Sequence, residues 1–137
     1  MTLHDIHAVQ YIHEDAGSQP YIVLSNALVS TAALQEYGFA KYYDINGFKQ
    51  FYYSSPSGSP LYRLYQKMVY EGTKRAYIEE AMHLAGVQKA YFVINDYWSN
   101  FANIVMQAKI NSDQYVSIDD EKIFVFTYSL APESTTP

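Results

Sequence analysis

The sequence predicts a single α/β domain, in which a mixed sheet with parallel central strands and an antiparallel C-terminal hairpin carries helices on its faces. The main observation is a pair of segments built alike, residues 21–26 (YIVLSN) and 91–96 (YFVIND). Each begins with an aromatic residue, continues with large apolar residues, and ends on two polar residues that can cap a helix. This pattern is typical of buried strands that lead into helices. Two further strand-like segments, 115–118 and 122–129, flank an acidic turn and indicate the hairpin.

The first half of the chain predicts two helices and three strands. Residues 3–16 place apolar side chains and His13 on one helical stripe, and Gly17 ends that helix. Asn46-Gly47 lies between aromatic, β-favouring residues and is the strongest short hairpin signal in the chain. The predicted order is a helix over 3–16, a strand over 21–24, a helix capped by Ser25 or Asn26 that runs to Tyr37 and stops at Gly38, and strands near 39–44 and 48–54.

The second half predicts three more helices and three more strands. Ser59 followed by Pro60 marks a helix start, because serine caps helices and proline fits the first helical position. The predicted order is a helix from Pro60 with a buried stripe of Leu61, Leu64, Tyr65, Met68 and Val69, a helix capped by Thr73 and ended by Gly86, a strand over 89–94, a helix over 97–110, and the strands 115–118 and 122–129. Residues 1–130 are expected to form one domain and 131–137 a disordered tail.

Composition excludes several classes of function. The 137 residues include no cysteine, which excludes disulfides, cysteine-ligated zinc and thiol catalysis. The formal net charge is −5 and the nine basic residues are scattered, which argues against binding to nucleic acid or to an anionic membrane surface. The longest apolar run, residues 90–94, is far shorter than the roughly 20 residues that span a bilayer. The chain itself is therefore expected to contain no membrane span and to be water-soluble.

The best candidate site lies where the two buried strands end. If these strands are parallel neighbours, their carboxyl ends meet at one edge of the sheet, where ligands bind in open α/β sheets. The alternative is that Asn26 and Asp96 act only as helix caps, each worth roughly 1 kcal/mol, and this is the simpler interpretation. An aromatic pair beside amide and carboxylate groups could also hold a sugar or another polar ring. The candidate ligand-binding residues are Ser25, Asn26, Asn95, Asp96, Tyr97 and Trp98.

Other chemical signals are weaker, and no catalytic residue, metal ligand or cofactor is predicted. His4 and His7 lie one helical turn apart, but without a confirmed third ligand they do not make a zinc site, and ordinary packing and solvation explain them better. The loop 54–59 could accept an anion on its backbone, yet it lacks the second glycine and the lysine of a phosphate-binding loop and is more simply a mobile connector.

The aromatic content is high, with 15 tyrosines and seven phenylalanines. Alternation along the hairpin 39–54 sends rings to both of its faces, so one core cannot receive all of them. Two interpretations stay open: an exposed aromatic face that contacts a partner, a glycan or a membrane interface, or a face that flanking helices cover.

The chain also resembles a known family in four segments, residues 8–13 (AVQYIH), 21–26 (YIVLSN), 32–39 (AALQEYGF) and 89–96 (KAYFVIND). It resembles the soluble extracytoplasmic domain that follows the last membrane helix in bacterial polytopic membrane proteins related to lipid-linked-sugar glycosyltransferases. The catalytic acidic residue of that family lies in loops between membrane helices. The resemblance therefore implies a non-catalytic periplasmic or extracellular domain that supports the membrane part or helps to hold a glycan or protein acceptor.

Two other functions remain as alternatives. One is a free-standing cytoplasmic binding module or small enzyme, with its ligand at the carboxyl ends of the parallel strands. The other is an interaction scaffold that uses the aromatic hairpin as its contact surface.

Overall fold

A computed structural model describes residues 2–38 and 41–130 of the chain. Residues 131–137, for which a disordered tail is predicted, and residues 39 and 40 at the start of the predicted first hairpin strand lie outside the described residues. The elements, in chain order, are α1 (Leu3–Ala16), β1 (Ile22–Leu24), α2 (Ala27–Tyr37), β2 (Tyr42–Ile45), β3 (Phe48–Phe51), α3 (Pro60–Tyr70), α4 (Arg75–Ala85), β4 (Lys89–Asn95), α5 (Phe101–Asn111), β5 (Gln114–Ile118) and β6 (Ile123–Ser129).

The main sheet has four strands in the order β1-β4-β6-β5. Strands β1 and β4 are parallel, with Val23 opposite Tyr91, whereas β6 runs antiparallel to both of its neighbours. The predicted mixed sheet, its parallel pair and its antiparallel C-terminal hairpin are thus confirmed. The parallel pair places the carboxyl ends of β1 and β4 at the same edge of the sheet.

Helices cover both faces of this sheet, and alternate residues of each strand enter different cores. On one face, Phe92 and Ile94 of β4 pack with the buried stripes of α3, α4 and α5. On the other face, Tyr91 and Val93 pack with α1, α2 and the residues that follow β3. Asn95 follows the same alternation as Tyr91 and Val93, so its side chain reaches the face that α1 and α2 cover.

The β2–β3 hairpin forms a separate two-stranded sheet, turning at Asn46-Gly47 as predicted. Both turn residues have positive φ, at 52° and 82°, which an Asn-Gly pair tolerates. The chain after β3 then runs beside β1, where Tyr53 makes a single parallel bridge with Val23. Phe51, Tyr52 and Tyr53 are buried there, whereas Tyr42 and Tyr43 are half-buried, so most of this aromatic surface is covered by the domain itself.

Two predicted helix starts are wrong. Thr73 does not cap α4, because the cap position is Lys74 and the Thr73 side chain is buried. Residues 97–100 do not belong to α5, which begins at Phe101 after an irregular turn. None of the described helices is both long enough and apolar enough to cross a bilayer.

The loop 54–59 is anchored to the domain at its ends, where Ser54 and Ser59 are buried, and residues 56–58 between them are exposed. Ser54 Oγ donates to the backbone oxygen of Ser25 at 2.6 Å and accepts from its backbone N–H at 2.8 Å. The buried amide of Gln50 lies 3.0–3.3 Å from the backbone oxygens of Phe51, Tyr53 and Ser55, which fixes the entry to this loop. The backbone N–H groups of Ser55 and Ser59 donate to the carbonyl oxygens of Tyr53 and Pro56, so two donors that an anion would need are already used inside this segment.

Candidate functional site

The structure brings the ends of β1 and β4 together as the sequence predicts. Asn95 is the last residue of β4, and Asn26 lies just after β1. Asn26 Nδ2 donates to Asn95 Oδ1 at 3.2 Å, although the two residues are 69 positions apart in the chain. Four of the six candidate residues, Ser25, Asn26, Asn95 and Asp96, therefore lie at one edge of the sheet.

Asn95 continues this hydrogen-bonded chain into α1. Its Nδ2 donates to Asp5 Oδ1 at 3.2 Å, while Asp5 Oδ2 accepts from the backbone N–H and the hydroxyl of Thr2 at 2.9 and 3.1 Å. Asp5 is 1% exposed and Asn95 is 8% exposed. We call Asp5, Asn26 and Asn95 the buried polar clamp, because together they join α1, the β1–α2 turn and the end of β4. A buried carboxyl group with three donors is a well-satisfied arrangement.

The cap interpretation is correct for Asn26. Its Oδ1 accepts from the backbone N–H of Val29 at 3.1 Å at the start of α2. The neighbouring Ser25 is fully buried, and its hydroxyl lies 3.3 Å from Ser30 Oγ. Ser25 is thus out of reach of a ligand, whereas Asn26 is half-buried and both of its polar side-chain atoms take part in internal hydrogen bonds.

The cap interpretation is wrong for Asp96. The cap position of α5 is Asn100, four residues further on, and its side chain makes no capping hydrogen bond. Asp96 faces solvent instead, with 52% of its side chain exposed and Lys122 Nζ 3.8 Å from Oδ2. An ion pair of this length between exposed groups contributes little to stability, so the Asp96 carboxylate remains available for a ligand.

Tyr97 and Trp98 belong to an aromatic group that also includes residues of α3. Trp98 Nε1 donates to the hydroxyl of Tyr65 at 2.9 Å, and Tyr65 is buried. Two exposed tyrosines contact the Trp98 ring. The Tyr70 centroid lies 5.6 Å from that of Trp98 with an interplanar angle of 90°, and the Tyr97 centroid lies 5.7 Å away with an angle of 85°. We call Tyr70, Tyr97 and Trp98 the aromatic surface.

The candidate edge therefore has two parts with different chemistry. The inner part is the buried polar clamp with Ser25, in which donors and acceptors satisfy each other. The outer part is Asp96 with the aromatic surface, where a carboxylate and large rings face water. The outer part therefore offers the more accessible surface for a ligand.

A second polar cluster joins α1 to the β5–β6 turn. His4 Nδ1 and His7 Nδ1 lie 2.7 and 2.8 Å from the same oxygen of Asp119. The hydrogen bond from His4, followed in size by the one from His7, lowers the pKa of Asp119. The carboxylate therefore accepts and both rings donate.

His13 lies outside this cluster. Its ring is exposed and stacks on Tyr37 with 4.1 Å between the ring centroids, so the prediction that it lies on the buried stripe of α1 is wrong. Residues 2–38 and 41–130 contain no group of three or more His, Asp or Glu residues suited to a metal ion.

One cavity of about 270 Å³ lies between α2 and the β2–β3 hairpin. Ser30, Leu34, Phe51 and Pro56 contribute to its wall. None of the six predicted site residues lines it, so this cavity is separate from the candidate edge.

Two residues of the edge are missing from the sequence prediction. Asp5 has a local signal, since Thr2 and Asp5 have the spacing of a capping box, but its contact with Asn95 is a tertiary one. Tyr70 has no such signal, because it is the last residue of α3 and meets Trp98 only through packing of the α3 end on the turn after β4.

Comparison of the chain with protein-family models, with curated proteins and with solved structures gave no match.

Proposed function

We propose that this chain is a non-catalytic accessory domain of a larger membrane protein of the glycosyltransferase type, on the extracytoplasmic side of the membrane. There it supports the membrane part or helps to hold a glycan or protein acceptor. The observation that supports this proposal best is the division of the candidate edge. The polar side chains that could perform chemistry are bonded to each other, and what remains exposed is a contact surface of Asp96 and aromatic rings.

Chemical catalysis needs a nucleophile, acid or base that is placed within reach of a substrate and is free to change its bonding. In the buried polar clamp, Asn26 and Asn95 are amides without a useful pKa, and Asp5 is 1% exposed and holds three donors. Asp96 is accessible, but no second titratable group other than Lys122 pairs with it among the described residues. The arrangement favours binding and support over catalysis.

The experiment that tests the proposal is a reading of the gene around this segment, followed by a topology assay. We expect membrane-spanning segments to precede residue 1, and a periplasmic reporter enzyme fused after residue 137 to be active. The proposal is contradicted by a gene without such segments. It is also contradicted if the periplasmic reporter is inactive and a cytoplasmic reporter fused at the same place is active.

A free-standing cytoplasmic binding module is a second candidate, because Asp96 and Tyr97 lie beyond the carboxyl end of β4, where ligands bind in α/β sheets. The same gene reading separates the two, since this candidate requires an open reading frame without membrane segments. In both cases the contact residues would be those of the outer part of the candidate edge, Asp96 and the aromatic surface.

A further inference from the structure

We infer that the turn between β4 and α5, together with the end of α3, is a binding site for an uncharged saccharide. This inference rests on the proposed function and gives its contact surface a ligand class. The observation that carries it is the set of exposed rings around one anchored tryptophan, bordered by exposed polar side chains.

The anchor is Trp98. Its indole N–H donates to the buried hydroxyl of Tyr65, and its ring packs against the core that α3 and α5 share with the sheet. Burial raises the pKa of Tyr65, so this hydroxyl stays protonated and the hydrogen bond persists across the physiological pH range. A ring held in this way loses little conformational freedom when a ligand binds, which preserves affinity.

Two more rings extend the surface into solvent. Tyr70 is 68% exposed and Tyr97 is 71% exposed, and each stands nearly perpendicular to Trp98. The edge-to-face contacts with Trp98 restrain both rings, and their exposure leaves most of each side chain accessible. Sugars carry C–H groups on the faces of the pyranose ring, and these pack against aromatic faces. Together with Trp98 these rings form a contiguous apolar patch, a feature that often marks a binding site.

The border of the surface can bind hydroxyl groups. Asp96, Ser99 and Asn100 lie in the same turn and are exposed, and Asn100 makes no capping hydrogen bond. A carboxylate accepts hydrogen bonds, an amide both donates and accepts, and a serine hydroxyl does both. A saccharide combines apolar ring faces with hydroxyl groups around the rim. In this turn the aromatic rings match the apolar faces, and the polar side chains match the hydroxyl groups.

The local charge favours an uncharged ligand. Asp96 is the exposed carboxylate of this turn, and Lys122 already lies 3.8 Å from it. The chain as a whole carries a formal net charge of −5. A phosphorylated or sulfated sugar would be repelled by the Asp96 carboxylate, so a neutral saccharide is the better fit.

The chain offers a direct probe, because Trp98 is its only tryptophan. We would titrate the purified chain with chitotriose, cellotriose and maltotriose, and with a heparin tetrasaccharide as the anionic arm, and record intrinsic fluorescence and titration calorimetry. At least one neutral trisaccharide should give a saturable change, and the anionic sugar should bind more weakly. Tyr97→Ala should weaken binding about tenfold, whereas Tyr97→Phe should stay within about twofold because the ring remains.

Phe48→Ala is the matched control, since it removes a 40% exposed ring from the separate β2–β3 hairpin and should leave the affinity unchanged. The inference is overturned if no neutral sugar binds, if Tyr97→Ala binds as tightly as the unchanged chain, or if the heparin tetrasaccharide binds best. These outcomes are independent of the topology assay, so a failed sugar titration with an extracytoplasmic reporter would refute the ligand class alone and would point to a protein acceptor.

Discussion

The buried polar clamp makes a strong prediction about stability, in which Asn95 is the decisive residue. Asn95→Ala removes the hydrogen bond to Asp5 Oδ1 and the one from Asn26 Nδ2, both at 3.2 Å, and leaves a buried carboxyl oxygen without its donor. A hydrogen bond to a charged group contributes about 1.5–3 kcal/mol and one between neutral groups about 1 kcal/mol. We therefore expect the free energy of unfolding to fall by about 3 kcal/mol.

Asp96→Ala is the matched control, because it changes the adjacent residue at the same edge of the sheet. Its only ion-pair partner among the described residues is Lys122 at 3.8 Å, and both side chains are more than half exposed. Such a substitution should change the free energy of unfolding by less than about 0.5 kcal/mol. Asn26→Ala should fall between the two, at about 2 kcal/mol, since it loses the helix cap and the bond to Asn95.

Urea unfolding followed by circular dichroism measures these differences, and a double-mutant cycle on Asn26 and Asn95 measures their coupling. The double variant should be less destabilised than the sum of the single changes by roughly 0.5–1 kcal/mol, because both singles break the same hydrogen bond. The reasoning is refuted if Asn95→Ala lowers stability by less than about 1 kcal/mol, or if Asp96→Ala lowers it equally. Either result would mean that Asn95 is not held by the clamp.

Three further predictions concern other parts of the domain. The pKa of Asp119 is lowered by its hydrogen bonds to His4 and His7, so its contribution to stability is present above the ordinary pKa of about 3.9 and is lost as the pH falls through its lower folded-state pKa. Asp119→Asn should therefore have a lower urea midpoint than the unchanged chain at pH 6, the difference should shrink steadily as the pH falls below about 3.9, and a constant difference would contradict this. Tyr53 carries a fully buried hydroxyl without a hydrogen-bond partner among the described residues, so Tyr53→Phe should leave the melting temperature unchanged or raise it. Gln50→Leu should lower the free energy of unfolding by roughly 2–3 kcal/mol, because several buried backbone groups lose their hydrogen-bond partner. An unchanged free energy of unfolding in urea would show that these backbone groups find other partners.

Local patterns in the sequence suffice for the fold class and for most helix and strand positions. The buried stripe of α3, the cap at Asn26 and the turn at Asn46-Gly47 each depend on residues a few positions apart, and the structure has all three as predicted. Contacts between distant segments are different. The bonds from Asn95 to Asp5 and from Trp98 to Tyr65 join residues 90 and 33 positions apart, and no local pattern indicates them.

The start of α5 shows why the sequence-based prediction was least accurate where the exposed surface lies. A helix that began at Tyr97 would have placed Asp96 in the cap position and directed its carboxylate at the backbone N–H groups of the first turn. The helix begins at Phe101 instead. In the turn before it, Trp98 hydrogen-bonds to Tyr65 of α3, and Asp96 and Tyr97 are exposed to solvent. Departures from local preference are expected at functional sites, where contact with a ligand outweighs local stability. The turn thus gives up a helix cap and exposes Asp96 and Tyr97, which is the arrangement that the proposed contact surface requires.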